Sequence, residues 1–238
     1  MRLDISELVP AFPEFRVAVV LAKDLLIRSE RQSELAELIA TREAESRRTW
    51  GGTDLADIPG VAAWRRAYRA FGIRKTSYRS SVERLVKNVL ADRPLPVINS
   101  FVDAYNAVSL THVLPLGADD LDQIQGGLAF RYARAGDSFL DMASGENDGG
   151  APVEDPPKHG EVVYADASNV LCRRWNWRQD SRSLVTPQTR RAIVTLQTNG
   201  EGRLEDAVAD LVDLIGRYSG GRTQIAIADR DAPLVEIS

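Results

Sequence analysis

Apolar and polar positions follow two different rhythms along this chain, helical in the first half and strand-like in the second. Residues 15–21 (FRVAVVL) form a continuous valine-rich run, the pattern of a buried strand. Residues 29–50 have helical spacing. Leu35, Leu38 and Ile39 lie on one side, Ser29 and Gln32 make a capping-box pattern, the charged second half faces solvent, and Gly51-Gly52 closes the segment. Asp57 and Pro59 open a second helix with Val61, Trp64, Tyr68 and Phe71 inward, stopped by Gly72. Residues 80–90 repeat the box with Ser80 and Glu83. A Pro94-Leu95-Pro96 turn then launches a helix from Val97 to about Leu110. Its apolar face carries Val97, Phe101, Tyr105 and Val108, while Asn99, Asp103 and Asn106 share the opposite stripe. After Gly126-Gly127 short strands are predicted at 128–133, 138–142, 161–165, 170–177 and 191–198. Residues 144–160 read as a surface loop, 203–218 as an amphipathic helix and 223–228 as a closing strand. No repeat is evident. Helices first and strands after predict an α+β fold rather than a doubly wound sheet.

Composition sets the class of protein. The 238 residues are 44% apolar and 27% charged, ordinary globular values. No run is apolar enough to span a bilayer, and the first residues lack a signal-peptide core. One cysteine excludes an internal disulfide, and with two histidines it makes no usual zinc cluster. A cytoplasmic protein without metal or cofactor is expected.

The net charge of −4 argues against an indiscriminate nucleic-acid binder, yet the charge is uneven. Residues 64–93 hold nine Arg and Lys against Glu83 and Asp92; residues 173–191 hold six Arg against Asp180; residues 117–161 hold ten acids against three bases. A basic face on an acidic protein suits a partner with a phosphate backbone, and equally describes two solvated helix faces and a loop.

Several catalytic motifs are missing: there is no phosphate-binding GxxxxGK, no GxGxxG after a strand, no HExxH and no GxSxG. Neither His112 nor His159 has a serine motif nearby, so triad hydrolysis does not fit. Arg173 and Arg174 flank Cys172 and could lower its pKa, although a lone cysteine in a strand is more often a small apolar residue. The densest cluster is CRRWNWRQ at 172–179. Read as a strand, it puts Arg173, Trp175, Trp177 and Gln179 on one face and Cys172, Arg174, Asn176 and Arg178 on the other. The arginine face suits a phosphate or carboxylate, and the indole face suits a stacked base. The alternative places the tryptophans in the core and pairs the arginines with the acidic segment. The Asn99–Asp103–Asn106 stripe is either a ligand site or a solvated helix face.

Specific strings add a resemblance. INSFVDAYN at 98–106, preceded by RPLP at 93–96, is similar to the B3/B4 editing domain of the phenylalanyl-tRNA synthetase β subunit, whose helix reads IN-x-x-VD-x-x-N. Leu121-Asp122 up to Gly127, LAFRYARAGD at 128–137 and EVVYAD at 161–166 fit the strands that follow. Arg79-Ser80-Ser81 with Glu83, VDAYNAVSL and CRRWNWRQ resemble stand-alone B3/B4 proteins more closely still. The likeness covers roughly residues 60–200. It implies one B3/B4-like domain over 1–238, helices flanking a mainly antiparallel or mixed sheet, with residues 1–55 and 203–230 packed on it. It further implies a trans-acting deacylase of mischarged aminoacyl-tRNA that works by a positioned water, or else a non-catalytic module binding tRNA, an amino acid or a nucleotide. No adenylation motif accompanies it.

On that resemblance Asn176, Arg178 and Gln179 are the catalytic candidates. Asn99, Asp103, Asn106, Arg174, Trp175 and Trp177 would bind substrate, and Arg65, Arg66, Arg69, Arg74, Lys75 and Arg79 would bind tRNA. The implied partner is the aminoacylated 3′ end of tRNA, not DNA or a membrane. The sequence also departs from the synthetase. Gly117 stands where its Gln-Pro-x-His turn has the pocket histidine, Tyr105 replaces a common threonine, and WNWRQ replaces a glycine-rich turn.

Overall fold

A strand that is apolar on both faces needs cover on both, and the valine-rich segment receives it. In the computed structural model, which describes residues 1–74, 77–142 and 153–237, that segment is β2 (Phe15–Lys23). It lies inside a four-stranded antiparallel sheet between β11 (Arg222–Ala228) and β10 (Arg191–Asn199), with β3 (Leu116–Asp120) on the far edge of β10. Helix α5 (Leu204–Ser219) packs on β2 and β10. Across β10 and β3, Thr195 stands opposite Gly117 and Ile193 opposite Asp119.

The second sheet is mixed and runs β12 (Leu234–Glu236), β1 (Arg2–Asp4), β4 (Leu128–Tyr132), β7 (Val162–Ala165), β8 (Val170–Arg173), β9 (Arg178–Gln179). Its β1–β4 pair is parallel and its other pairs are antiparallel. A small hairpin joins β5 (Leu140–Asp141) to β6 (Val153–Glu154). Four further helices, α1 (Ser33–Trp50), α2 (Pro59–Ala70), α3 (Ser81–Leu90) and α4 (Ser100–His112), complete an α+β architecture. One apolar cluster includes residues from Leu3 to Ile237 and draws on both sheets and all five helices. No helix among the described residues is long and apolar enough to cross a membrane.

Helix α4 is the hub: it touches α1, α3, α5 and β3 and is buried almost all the way round. A helix so enclosed loses the one-sided pattern expected of a surface helix. The predicted start at Val97 is therefore late by a turn in the structure. Val97 and Ile98 are exposed, and Asn99 caps the helix by accepting from the amides of Phe101 (3.1 Å) and Val102 (2.9 Å). Helix α1 likewise begins at Ser33 instead of Ser29, with no side-chain cap. Ser80 caps α3 as expected, its hydroxyl accepting from the Glu83 amide, while the Glu83 side chain turns to Arg65 and Arg79 in place of closing the box.

The largest difference lies at 170–177, predicted as one strand. It ends at Arg173, turns through residues 174–177 and returns as β9. Strands β1, β3 and β12 escaped the sequence reading, being short or mixed in polarity. Of the predicted loop at 144–160, residues 144–152 lie outside the described residues, and 153–154 form β6.

Candidate functional site

The hairpin that breaks the predicted strand also builds the site. Arg174 and Trp175 both take left-handed backbone angles, φ +46° and +66°, which non-glycine residues adopt at a cost of roughly 1–2 kcal/mol each. Trp175 supplies the compensation. It is fully buried and meets Phe12, Phe15 and Trp64 edge-on, with ring centroids 4.7, 4.9 and 5.2 Å away. It is therefore an anchor in the core and takes no part in base stacking. Asn176 fixes the tip. Its side chain accepts from the Tyr68 hydroxyl (2.9 Å) and donates to Gln197 Oε1 (3.1 Å), and its carbonyl accepts from the Ser81 amide (2.8 Å).

The turn makes strand alternation irrelevant to the arginines. Arg173, fully buried, forks onto Glu161 and reaches Asp155; Arg174 reaches Glu161 at 3.2 Å. Arg174 is also sandwiched, its guanidinium 3.8 Å from the Tyr78 ring and 4.2 Å from the Trp177 ring. Burial lowers its pKa, and its buried Nε and Nη1 have no hydrogen-bond partner among the described residues. Arg178 pairs with Asp141 and lies over Trp177 at 4.5 Å. Pairing with the acidic segment, one of the two alternatives left open by the sequence, thus holds for all three.

Where β9 and β8 of the mixed sheet meet β3 and β10 of the antiparallel one, they leave a cavity of about 250 Å³. Gln179 ties the sheets together, donating to Ala118 O and to Asp119 Oδ1 (2.9 Å). Gly117, Asp119, Thr195 and Gln197 line one wall; Tyr164, Leu171, Cys172, Trp177, Arg178 and Gln179 line the other. Ser81, Arg84, Leu85, Tyr105 and Asn106 come from α3 and α4. Asn106 is the one residue of 100–110 in α4 that is not buried.

Among the described residues, four buried polar atoms on lining residues have no hydrogen-bond partner: Ser81 Oγ, Tyr164 Oη, Trp177 Nε1 and Arg178 Nε. Natural proteins rarely leave such groups unpaired without a ligand or water to meet them. Burial pushes the Cys172 thiol well up, and nearby Asp119 adds to it, so the lowering that Arg173 and Arg174 could have caused does not occur. Burial also raises Asp119 to about 7, against the hydrogen bonds from Ser183 and Gln179 that pull it down. Asp119 was legible only as one acid in an acidic stretch.

Asn176, Trp177, Arg178, Gln179 and Asn106 thus meet at the cavity, whereas Asn99, Asp103, Arg174 and Trp175 do not line it. Asn99 is a helix cap whose amide also donates to Val185 O (3.1 Å). Asp103 is fully buried and accepts from the Ile98 amide (2.9 Å) and Arg31 Nε (2.8 Å). The stripe they make with Asn106 is neither solvated nor one ligand site, because α4 is enclosed.

The basic residues flank a smaller hollow of about 110 Å³ lined by Arg65, Arg69, Arg74 and Arg79 with Tyr68, Tyr78 and Glu83. Arg65 and Arg79 both hold Glu83 at 2.8 Å, while Arg66, Arg69 and Arg74 are exposed. Lys75 lies outside the described residues. The Tyr78 ring connects this hollow to the main cavity, meeting Trp177 edge-on at 5.1 Å. Among the described residues no group of His, Cys, Asp and Glu could hold a metal ion.

Fold and site together define an α+β protein with a cavity of mixed polar and apolar lining between two sheets and a basic hollow beside it. The B3/4 domain family matches residues 63–201, more than half of the chain, and the chain belongs to that family. Among solved structures it is similar to an N-terminal fragment of the phenylalanyl-tRNA synthetase beta-subunit from Pyrococcus horikoshii. The two share 13% identity and a TM-score of 0.46, over 93% of this chain and 49% of that one, so this chain spans about half the fragment's length. No curated protein matches the chain.

Proposed function

We propose that this protein hydrolyses the ester bond of mischarged aminoacyl-tRNA, acting in trans. The observation that carries the reading is the cavity itself: it is large enough for an aminoacyl group, and the buried polar atoms on its lining lack partners. Membership of the B3/4 family and the motifs shared with the synthetase's editing domain support the same reading. It takes residues 1–238 as one domain, consistent with the apolar cluster that both ends enter.

An aminoacyl ester is already activated toward water, so placement and electrostatic stabilisation supply most of the rate without a covalent nucleophile. Arg178 Nε, a buried donor without a protein partner, is available to the developing oxyanion. Asn106 and Gln179 stand where they can orient water or substrate. Asn176, whose amide is engaged at both ends, holds the turn in place and acts through it. The exposed Arg69 and Arg74, with Arg66 on the same helix as Arg69, would meet phosphates of the acceptor end.

A second reading is a binding module without catalysis. It is favoured by Gly117, which brings no side chain to the cavity at the position of the synthetase's histidine. A panel of aminoacyl-tRNAs offered to the purified protein separates the two. Release of a subset of amino acids, reduced at least tenfold by Arg178→Ala, supports the deacylase. Survival of every ester while tRNA still binds leaves the module.

A further inference from the structure

Among the described residues the buried acids are satisfied in one of two ways, with one exception. Asp103, Glu83, Asp141, Glu161 and Asp180 each face an arginine. Glu43 and Asp166 instead accept backbone amides. Asp119, only 3% exposed, has neither. It receives two neutral donors, Ser183 Oγ (2.6 Å) and Gln179 Nε2 (2.9 Å), and both go to Oδ1. Among the described residues nothing donates to Oδ2, and the residue lines the cavity.

The groups around it do not supply the missing charge. Tyr105 from α4, Tyr164 from β7 and Cys172 from β8 all feel Asp119, and the acids Asp166 and Asp180 oppose its ionisation. Arg178, on the same cavity, is paired with Asp141, and Arg84, also on the lining, is an exposed residue of α3 that makes no ion pair with Asp119 among the described residues. Tyr164 is a second, independent pointer to a polar ligand. The residue lines the cavity and is 3% exposed, and its buried hydroxyl has no hydrogen-bond partner among the described residues.

We propose that Asp119, assisted by the Tyr164 hydroxyl, recognises the free α-ammonium group of an aminoacyl ligand and so selects aminoacyl over N-acylated esters. The identity of the ligand rests on the deacylase reading. An ammonium group has three donors and one positive charge, which suits a carboxylate oxygen and a phenol oxygen that accept nothing else. An N-acylated nitrogen is neutral, keeps one N–H and carries extra bulk, so it would leave the carboxylate without its counter-ion. Burial holds Asp119 near neutrality, and an arriving ammonium would favour its ionised form, so binding near pH 7 is expected to release a proton.

Calorimetry on the full chain tests this with a panel of amino-acid amides, which cannot be hydrolysed as esters, and their N-acetyl counterparts. The expected result is that at least one amide binds about tenfold or more tighter than its acetylated twin, with proton release near pH 7. Asp119→Asn, which keeps the shape and still accepts from Ser183 and Gln179 through Oδ1, should abolish both the preference and the proton release, and Tyr164→Phe should reduce the preference. Equal binding of the twins, a preference that survives Asp119→Asn, or no binding of any amide would overturn the inference. Parallel assays on aminoacyl-tRNA and N-acetyl-aminoacyl-tRNA keep the two proposals apart. Hydrolysis of both at equal rates retains the deacylase and removes the ammonium site. Amine-selective binding without hydrolysis retains the site and removes the deacylase.

Discussion

At the scale of single residues, Asp119 carries a cost that shape alone does not reveal. Its folded pKa is raised from 3.8 to about 7 by burial, so between those values the unfolded chain has lost a proton that the folded chain keeps. Stability from this group is therefore highest below the unfolded value and falls as pH rises through the window, the loss being complete above about 7. Asp119→Asn removes that loss. Urea unfolding should find the variant more stable than wild type at pH 8, by up to roughly 4 kcal/mol, with the gap narrowing toward pH 5. A gap that does not depend on pH would mean the carboxylate is not held as described. Destabilised binding groups of this kind are a common cost of function. Cys172 follows the same rule: its neighbours in sequence could have lowered its pKa, but both arginines are engaged by acids, and burial decides the outcome.

At the scale of elements, the β8–β9 hairpin converts a core contact into a site. Trp175 sits at the second left-handed position of the turn and is held by four aromatic neighbours, Phe12, Phe15, Trp64 and Phe71, so its packing offsets backbone strain that would otherwise open the turn. Trp175→Ala should cost about 3–5 kcal/mol in urea unfolding and should also loosen Asn176, Trp177 and Arg178, which follow it. Ligand binding by Trp175→Phe, which refills part of the volume, should recover more than stability predicts for a residue unrelated to the site. If Trp175→Ala unfolds at the wild-type urea concentration, the turn is held by something else. The two tryptophans, adjacent but for Asn176, have opposite fates: Trp175 enters the core, and Trp177 remains at the cavity between Tyr78, Arg174 and Arg178.

At the scale of the whole molecule, charge is sorted rather than spread. Three acids of the acidic segment, Asp141, Asp155 and Glu161, are paired internally with arginines of 173–178, which leaves the α2–α3 region as the basic side of the cavity. Within it Arg65 and Arg79 share Glu83, while Arg66, Arg69 and Arg74 make no ion pair among the described residues. If tRNA is the partner, its affinity should fall with salt as phosphate contacts are screened. Arg69→Ala and Arg74→Ala should each weaken binding and reduce the slope of log affinity against log salt by about 1. Arg65→Ala should change the slope less, because that guanidinium is already engaged. Fluorescence anisotropy with labelled tRNA over a salt series measures all three, and a slope unaffected by both exposed arginines would move the contact elsewhere.

What the sequence determined by itself was local: periodicity located β2, β10, α2, α3 and α5, the box at Ser80 marked a helix start, and segregated rhythms gave the α+β class. CRRWNWRQ was also legible as the diagnostic segment, and five of its residues do reach the cavity or fix its wall. Its geometry was not. Whether that run continues as a strand or turns depends on a distant aromatic nest from Phe12, Phe15 and Trp64 that fixes Trp175 in a left-handed conformation. The fate of the Asn99–Asp103–Asn106 stripe likewise depended on helices packing around α4, which turned a polar face into a cap, an ion pair and a single cavity residue. Asp119 belongs to neither rhythm. Only the meeting of two sheets buries it without a counter-ion, since the desolvation of a carboxylate is set by neighbours that lie far from it in sequence.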